Sequence, residues 1–114
     1  MRYKIVLVPF PFDDLSSHKV RPAICLTEPI GPHRHVVVAF ITSRLPAEAL
    51  ATDLIIRTDD AEFKATGLRV SSAIQLHRLM TITTSLIRRV LGELPPPMQT
   101  QLKSRLSHLF DLSR

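Results

Sequence analysis

The stretch Val6-Leu7-Val8-Pro9-Phe10-Pro11-Phe12-Asp13-Asp14-Leu15-Ser16, running on into Lys19-Val20-Arg21-Pro22-Ala23, decides how this chain is read. It pairs with a second stretch, Val38-Ala39-Phe40-Ile41-Thr42-Ser43-Arg44. An apolar strand enters a polar loop and returns through an Arg-Pro pair into a second strand. A third strand then ends in a hydroxyl pair beside another Arg. Pro9 and Pro11 stop the first strand because proline cannot donate to a ladder, and Pro22 is tolerated where the second begins. One guanidinium and one hydroxyl at the same sheet edge make a corner suited to a phosphate.

Working outward, the pattern predicts strands over 3–8, 21–27 and 35–41, with a polar loop at 13–20 and a turn punctuated by Pro29, Gly31 and Pro32. Residues 44–51 read as a short helical turn with Pro46 near its start. A strand follows over 53–57, then a polar loop over 58–66 that ends at Gly67. Strands are expected over 70–76 and 78–82, separated by a kink near His77. Thr83-Thr84-Ser85 reads as the cap of a short helix through Arg89, closed by Gly92. Pro95-Pro96-Pro97 reads as a stiff spacer. Met98, Leu102, Leu106, Leu109 and Phe110 recur at helical spacing, so 98–111 reads as an amphipathic helix. Short strands, frequent turns and late helices predict a mainly β domain over 1–114: a bent antiparallel sheet or partial barrel with helices packed outside.

At 114 residues and 45% hydrophobic, the chain suits one domain with a modest core. It has no apolar run of about 18 residues that would cross a membrane as a helix, and the apolar run before Pro9 is too brief for a secretory leader. The expected setting is cytoplasmic, away from membranes. The single Cys25 excludes an internal disulfide and reads as a buried core thiol. The net charge is +5, and 11 of the 15 basic residues are Arg. Arg grips phosphate in a fixed fork, so nucleic acid or an acidic protein partner is favoured.

Arg21 sits where a strand leaves a loop, a place where functional side chains gather. It can hold a phosphate and stabilise charge that builds in a transition state, or it can be a surface Arg paired with Asp13 or Asp14. Thr42 and Ser43 can bind a phosphate oxygen, or they can cap the turn into Pro46. His77 can act as general acid or base near neutral pH, or can simply be exposed. His18 in the first loop could touch substrate. No His/Cys/Asp/Glu spacing resembles a metal site, and three glycines cannot build a phosphate loop. No cofactor or metal is expected; a nuclease built this way would use the RNA 2′-hydroxyl as nucleophile.

In its order of segments the chain resembles the MazF/PemK family of toxin endoribonucleases. The resemblance runs through Val6 to Ser16, Arg21-Pro22, Ile41-Thr42-Ser43, Gly67-Leu68…Ser72, Leu79-Met80-Thr81-Ile82…Ser85-Leu86-Ile87 and the C-terminal helix. It implies an SH3-like β-barrel with added helices, a homodimer, metal-independent cleavage of single-stranded RNA to a 2′,3′-cyclic phosphate, and control by a cognate acidic antitoxin. The family's Arg before a Pro falls on Arg21 and its strand-end Thr on Thr42. Its usual acidic residue falls on His77, and an Arg two residues earlier falls on Gln75, so the chain departs from the pattern at both. Its usual Gly-Asp at the first strand is replaced by Tyr3-Lys4. On this reading Arg21, Thr42 and His77 are the catalytic candidates, with Lys19, Ser43, Arg44, Gln75, Arg78 and His18 contacting RNA. Two alternatives stay open: a non-catalytic toxin of the same barrel that acts by protein contact, and a degenerate nuclease that binds RNA without turnover.

Overall fold

The computed structural model describes residues 1–9 and 19–112; most of the polar loop expected over 13–20, with His18 in it, lies outside them. Six strands form one antiparallel sheet: β1 (Lys4–Pro9), β2 (Val20–Cys25), β3 (His35–Thr42), β4 (Asp53–Ile56), β5 (Ser72–Thr83) and β6 (Arg89–Glu93). Their order in space is β4-β5-β3-β2-β1-β6, and a single helix, α1 (Pro96–Leu109), follows. The sheet curls into a half-barrel, so the mainly β expectation holds.

Both faces of the sheet are buried. Ile5, Ile24, Ala39, Ile41, Leu54 and Ile74 project to one side, where Leu102 of α1 and Leu94 complete the core. Val6, Val8, Ala23, Cys25, Val36, Val38 and Phe40 project to the other, joined by Ile82 from the far half of β5. Two-sided burial explains why β1 to β3 read as nearly continuous apolar runs rather than alternating ones. Cys25 is fully buried, and burial pushes its thiol up to about 11, which keeps it protonated and inert.

Several local expectations are corrected. Residues 44–51 form bends and turns, not a helical turn. The strands expected over 70–76 and 78–82 are one strand, β5, and the kink near His77 is a bulge within it. Ala39 pairs with Leu79 and Phe40 with Gln75, which leaves Leu76, His77 and Arg78 unmatched on β3. The loop over 58–66 contains a 3-10 turn, Phe63–Thr66. The helix expected from Thr83 to Arg89 is only a 3-10 turn, Thr84–Leu86, before the chain extends into β6. Pairing with β1 offers that segment a ladder, which overrides the local capping signal of Thr83-Thr84-Ser85. Pro96 and Pro97 are not spacer but the first turn of α1, where their missing N–H groups cost nothing. Phe110 lies beyond the helix and is 55% exposed.

The half-barrel closes where β6 meets the 3-10 turn at 63–66. A Cβ on Gly92 would stand 2.2 Å from the Ala65 carbonyl oxygen, and one on Gly67 would stand 2.1 Å from the Leu91 carbonyl oxygen. Gly67 also takes φ +71, a left-handed backbone that glycine adopts without strain. The two backbones therefore touch where any side chain would hold them apart.

Replacing Gly92 should cost more than ordinary overpacking, because the obstruction is backbone on both sides. We expect Gly92→Ala to lower stability by about 3 kcal/mol. Gly31→Ala, at φ +74 but in open space, should lose only about 1 kcal/mol of left-handed strain. Urea unfolding of the two variants checks the contrast; equal losses would mean that the seam is not tightly closed.

Candidate active site

Cross-strand register decides which predicted residues meet. Val6, Ala23, Phe40, Gln75 and Asp53 stand opposite one another in turn across β1, β2, β3, β5 and β4. Opposed residues of an antiparallel pair project from the same face, so these side chains share one side of the sheet. Two residues further along, Val8 faces Arg21, Thr42 faces Ala73, and Ala73 faces Ile55. Carrying the β2–β3 register two residues beyond Ala23 and Phe40 brings Arg21 opposite Thr42. The structure thus sets Arg21, Thr42, Gln75 and Asp53 in two adjacent rows on one face.

Around these rows the bulge in β5 redirects its side chains. His77 Nδ1 stands 3.9 Å from Asp53 Oδ1, and the Arg78 guanidinium lies 5.9 Å from the centre of the Phe40 ring. The strict alternation expected of His77 and Arg78 is broken there, and both are exposed. Thr42 Oγ1 accepts the Arg44 backbone N–H at 3.1 Å, the turn contact that hydroxyl was expected to offer. Its own O–H remains a donor. Lys19 is exposed just ahead of β2, and Arg44 is exposed just beyond β3.

Ser43, one residue past Thr42, belongs elsewhere. It lines a cleft of about 290 Å³ at the seam, together with Ile41, Pro22, Leu68, Val70 and Leu91. Arg21 borders this cleft too, and Arg69 and Arg89 line it. Among the described residues no acidic residue does. These last two arginines were missed in the sequence because each looks like an isolated surface charge. Only the closure of β6 onto the segment after Gly67 brings them to one place. Among the described residues no group of three or more His, Cys, Asp and Glu is placed to hold a metal ion, and no helix is long and apolar enough to cross a membrane.

Comparison with known proteins places the fold. The family model of the PemK-like, MazF-like toxin of type II toxin–antitoxin systems matches residues 1–110. A solved structure of the Mycobacterium tuberculosis toxin MazF-mt6 superposes with a TM-score of 0.74 at 25% identity, covering 97% of this chain and 99% of that one. An endoribonuclease from a mycobacterial species, solved in complex with its cognate antitoxin, gives 0.70 at 15% identity, covering 100% and 97%. At that identity the second likeness speaks for the fold alone. No curated protein matches the chain significantly.

Asp53 and Gln75 carry an unusual polar arrangement. Asp53 is buried, and its Oδ2 accepts the Leu50 backbone N–H at 2.9 Å. Its Oδ1 has no hydrogen-bond partner, nor does Gln75 Oε1 on the residue opposite. Two acceptors left bare side by side cost stability. Asn at position 53 keeps an oxygen for Leu50 and offers an amide donor to Gln75. We expect Asp53→Asn to stabilise the fold by about 1 kcal/mol, read as a melting temperature higher by about 4 °C. A lower melting temperature would mean that Oδ1 draws its stabilisation from His77.

Proposed function

The chain belongs to the PemK-like, MazF-like family of type II toxin–antitoxin toxins, and on that footing we propose that it is an endoribonuclease acting on single-stranded RNA without a metal ion. The observation that carries this reading is the register of β2 on β3 through Ala23 and Phe40, which, continued two residues, sets Arg21 and Thr42 on one face at the same end of the sheet. An always-charged fork and a hydroxyl donor at the same end of the sheet suit a phosphate. The name of the solved relative at 25% identity, the toxin MazF-mt6, supports it.

In the proposed reaction the ribose 2′-oxygen gives its proton to a base and attacks the adjacent phosphorus. The bond from phosphorus to the 5′-oxygen breaks, and that oxygen leaves protonated. The products are a 2′,3′-cyclic phosphate and a 5′-hydroxyl. Arg21 stabilises the charge of the pentacovalent intermediate and donates toward the leaving oxygen, while Thr42 orients the phosphate through its O–H. His77 is the candidate proton carrier, steadied by the Asp53 carboxylate beside it. Lys19, Arg44, Gln75 and Arg78 hold flanking parts of the strand. His18 is proposed as a further contact on the sequence alone. The excess positive charge suits an acidic antitoxin segment laid through the same groove, and two copies of the chain form the working unit.

Loss of one electrostatic contact of this kind costs ~100-fold or more in rate. Arg21→Ala should therefore lose cleavage by at least that much while its far-UV spectrum stays unchanged, because Arg21 is exposed. Near-normal cleavage by the folded variant would sink the assignment. Thr42→Val should lower turnover at saturating RNA more than it lowers affinity, the mark of a group that binds better in the transition state. Equal losses would make Thr42 a uniform binding residue.

A further inference from the structure

We infer that the cleft at the seam is a nucleotide subsite in which Arg69 and Arg89 hold a backbone phosphate next to the one that is cut. This rests on the RNA-cleaving reading of Arg21 and Thr42 and extends it to residues that neither the sequence pattern nor the resemblance singled out.

The cleft has the composition such a subsite needs. Arg69 and Arg89 are exposed, and among the described residues neither guanidinium carries an ion pair or hydrogen bond. They bring two positive charges to about 290 Å³, and among the described residues no carboxylate lines its walls. Like charges gathered this way repel one another until an anion enters. Below them Leu68, Val70 and Leu91 supply an apolar floor, and Val70 is 51% exposed, an apolar surface left for a ribose or base to cover. The volume lies at the small end of the ~300–1,000 Å³ range of ligand clefts, room for one splayed nucleotide rather than a duplex. Single-stranded RNA is recognised in this way, by unstacked bases laid on apolar or guanidinium planes.

Position agrees with composition. Thr42 faces the catalytic rows, while its neighbours Ile41 and Ser43 line the cleft. A strand of RNA passing the end of β3 therefore meets Arg21 and Thr42 first and the seam next. Ser72, also in the lining, donates its hydroxyl to the Val70 carbonyl at 2.9 Å and keeps lone pairs to accept from a base edge.

The test is a double variant, Arg69→Met with Arg89→Met, compared with a charge-matched control, Arg57→Met with Lys103→Met, whose side chains lie outside the cleft. A 2′-O-methyl oligonucleotide, which cannot be cut, reports binding across a salt series, and an ordinary RNA of the same sequence reports cleavage. Each phosphate neutralised on a single strand contributes ~0.7 to the log–log salt slope, so the double variant, which frees one, should lose about 0.7 from it. Its affinity near 0.1 M salt should fall ~10-fold or more, while turnover at saturating RNA is kept. The control should keep the slope, and both variants should melt like the parent. A double variant with the parent's slope and affinity overturns the inference. So does weakened binding of an acidic peptide with RNA binding intact, which would assign the cleft to a protein partner. If the parent binds the oligonucleotide with the expected slope change yet cuts nothing, the subsite stands and the nuclease reading fails.

Discussion

The close approach of backbone at two glycines of the seam, Gly67 against Leu91 and Gly92 against Ala65 and Thr66, governs the rest of this molecule. A six-stranded sheet with its sequence-distant strands at the edges need not close, and it closes here because Gly67 and Gly92 let carbonyl groups approach within what a methyl would occupy. Closure makes the curl, the curl buries both faces, and burial on both faces holds β2 and β3 in the register that opposes Arg21 to Thr42. The same contact swings Arg69 and Arg89 together. A purely structural device thus sets the electrostatics of the surface beside it.

Much of this was legible in the chain. Proline placement and apolar runs gave β1, β2 and β3 nearly to their ends, and the interrupted pattern at His77 marked a true irregularity. The opposition of Arg21 and Thr42 could be anticipated because both sit at strand ends within a short stretch of sequence. What could not be read was β6. Arg88-Arg89-Val90-Leu91-Gly92 has weak alternation and a glycine, and it follows three hydroxyl residues that imitate a helix cap. Its partner is β1, almost the whole chain away, so no local window contains the reason for its extension. The two cleft arginines were hidden for the same cause. The one signal available was Gly67 and Gly92 themselves, two glycines in a chain that has only three.

The first strand offers a smaller lesson. Where the family resemblance implies a glycine, this chain has Tyr3, and its backbone adopts φ 72, a conformation costly for any residue with a Cβ. Tyr3 nonetheless packs against the core cluster that contains Ile5 and Leu94, and its N–H donates to the Cys25 carbonyl at 2.8 Å. Burial of an aromatic side chain offsets local strain here, and a departure from the family pattern becomes part of the core.

The pairing of β1 with β6 also has a temporal meaning. A ladder that joins the first strand made to the last has a high contact order, and such closures come late and slowly in folding. A nascent chain that has finished β3 already holds Arg21 and Thr42, yet it lacks the strand that curls the sheet and the wall that carries Arg89. Competence would then arrive only with the final stretch of polypeptide. The topology thus leaves the seam open until the final strand of the sheet has been made.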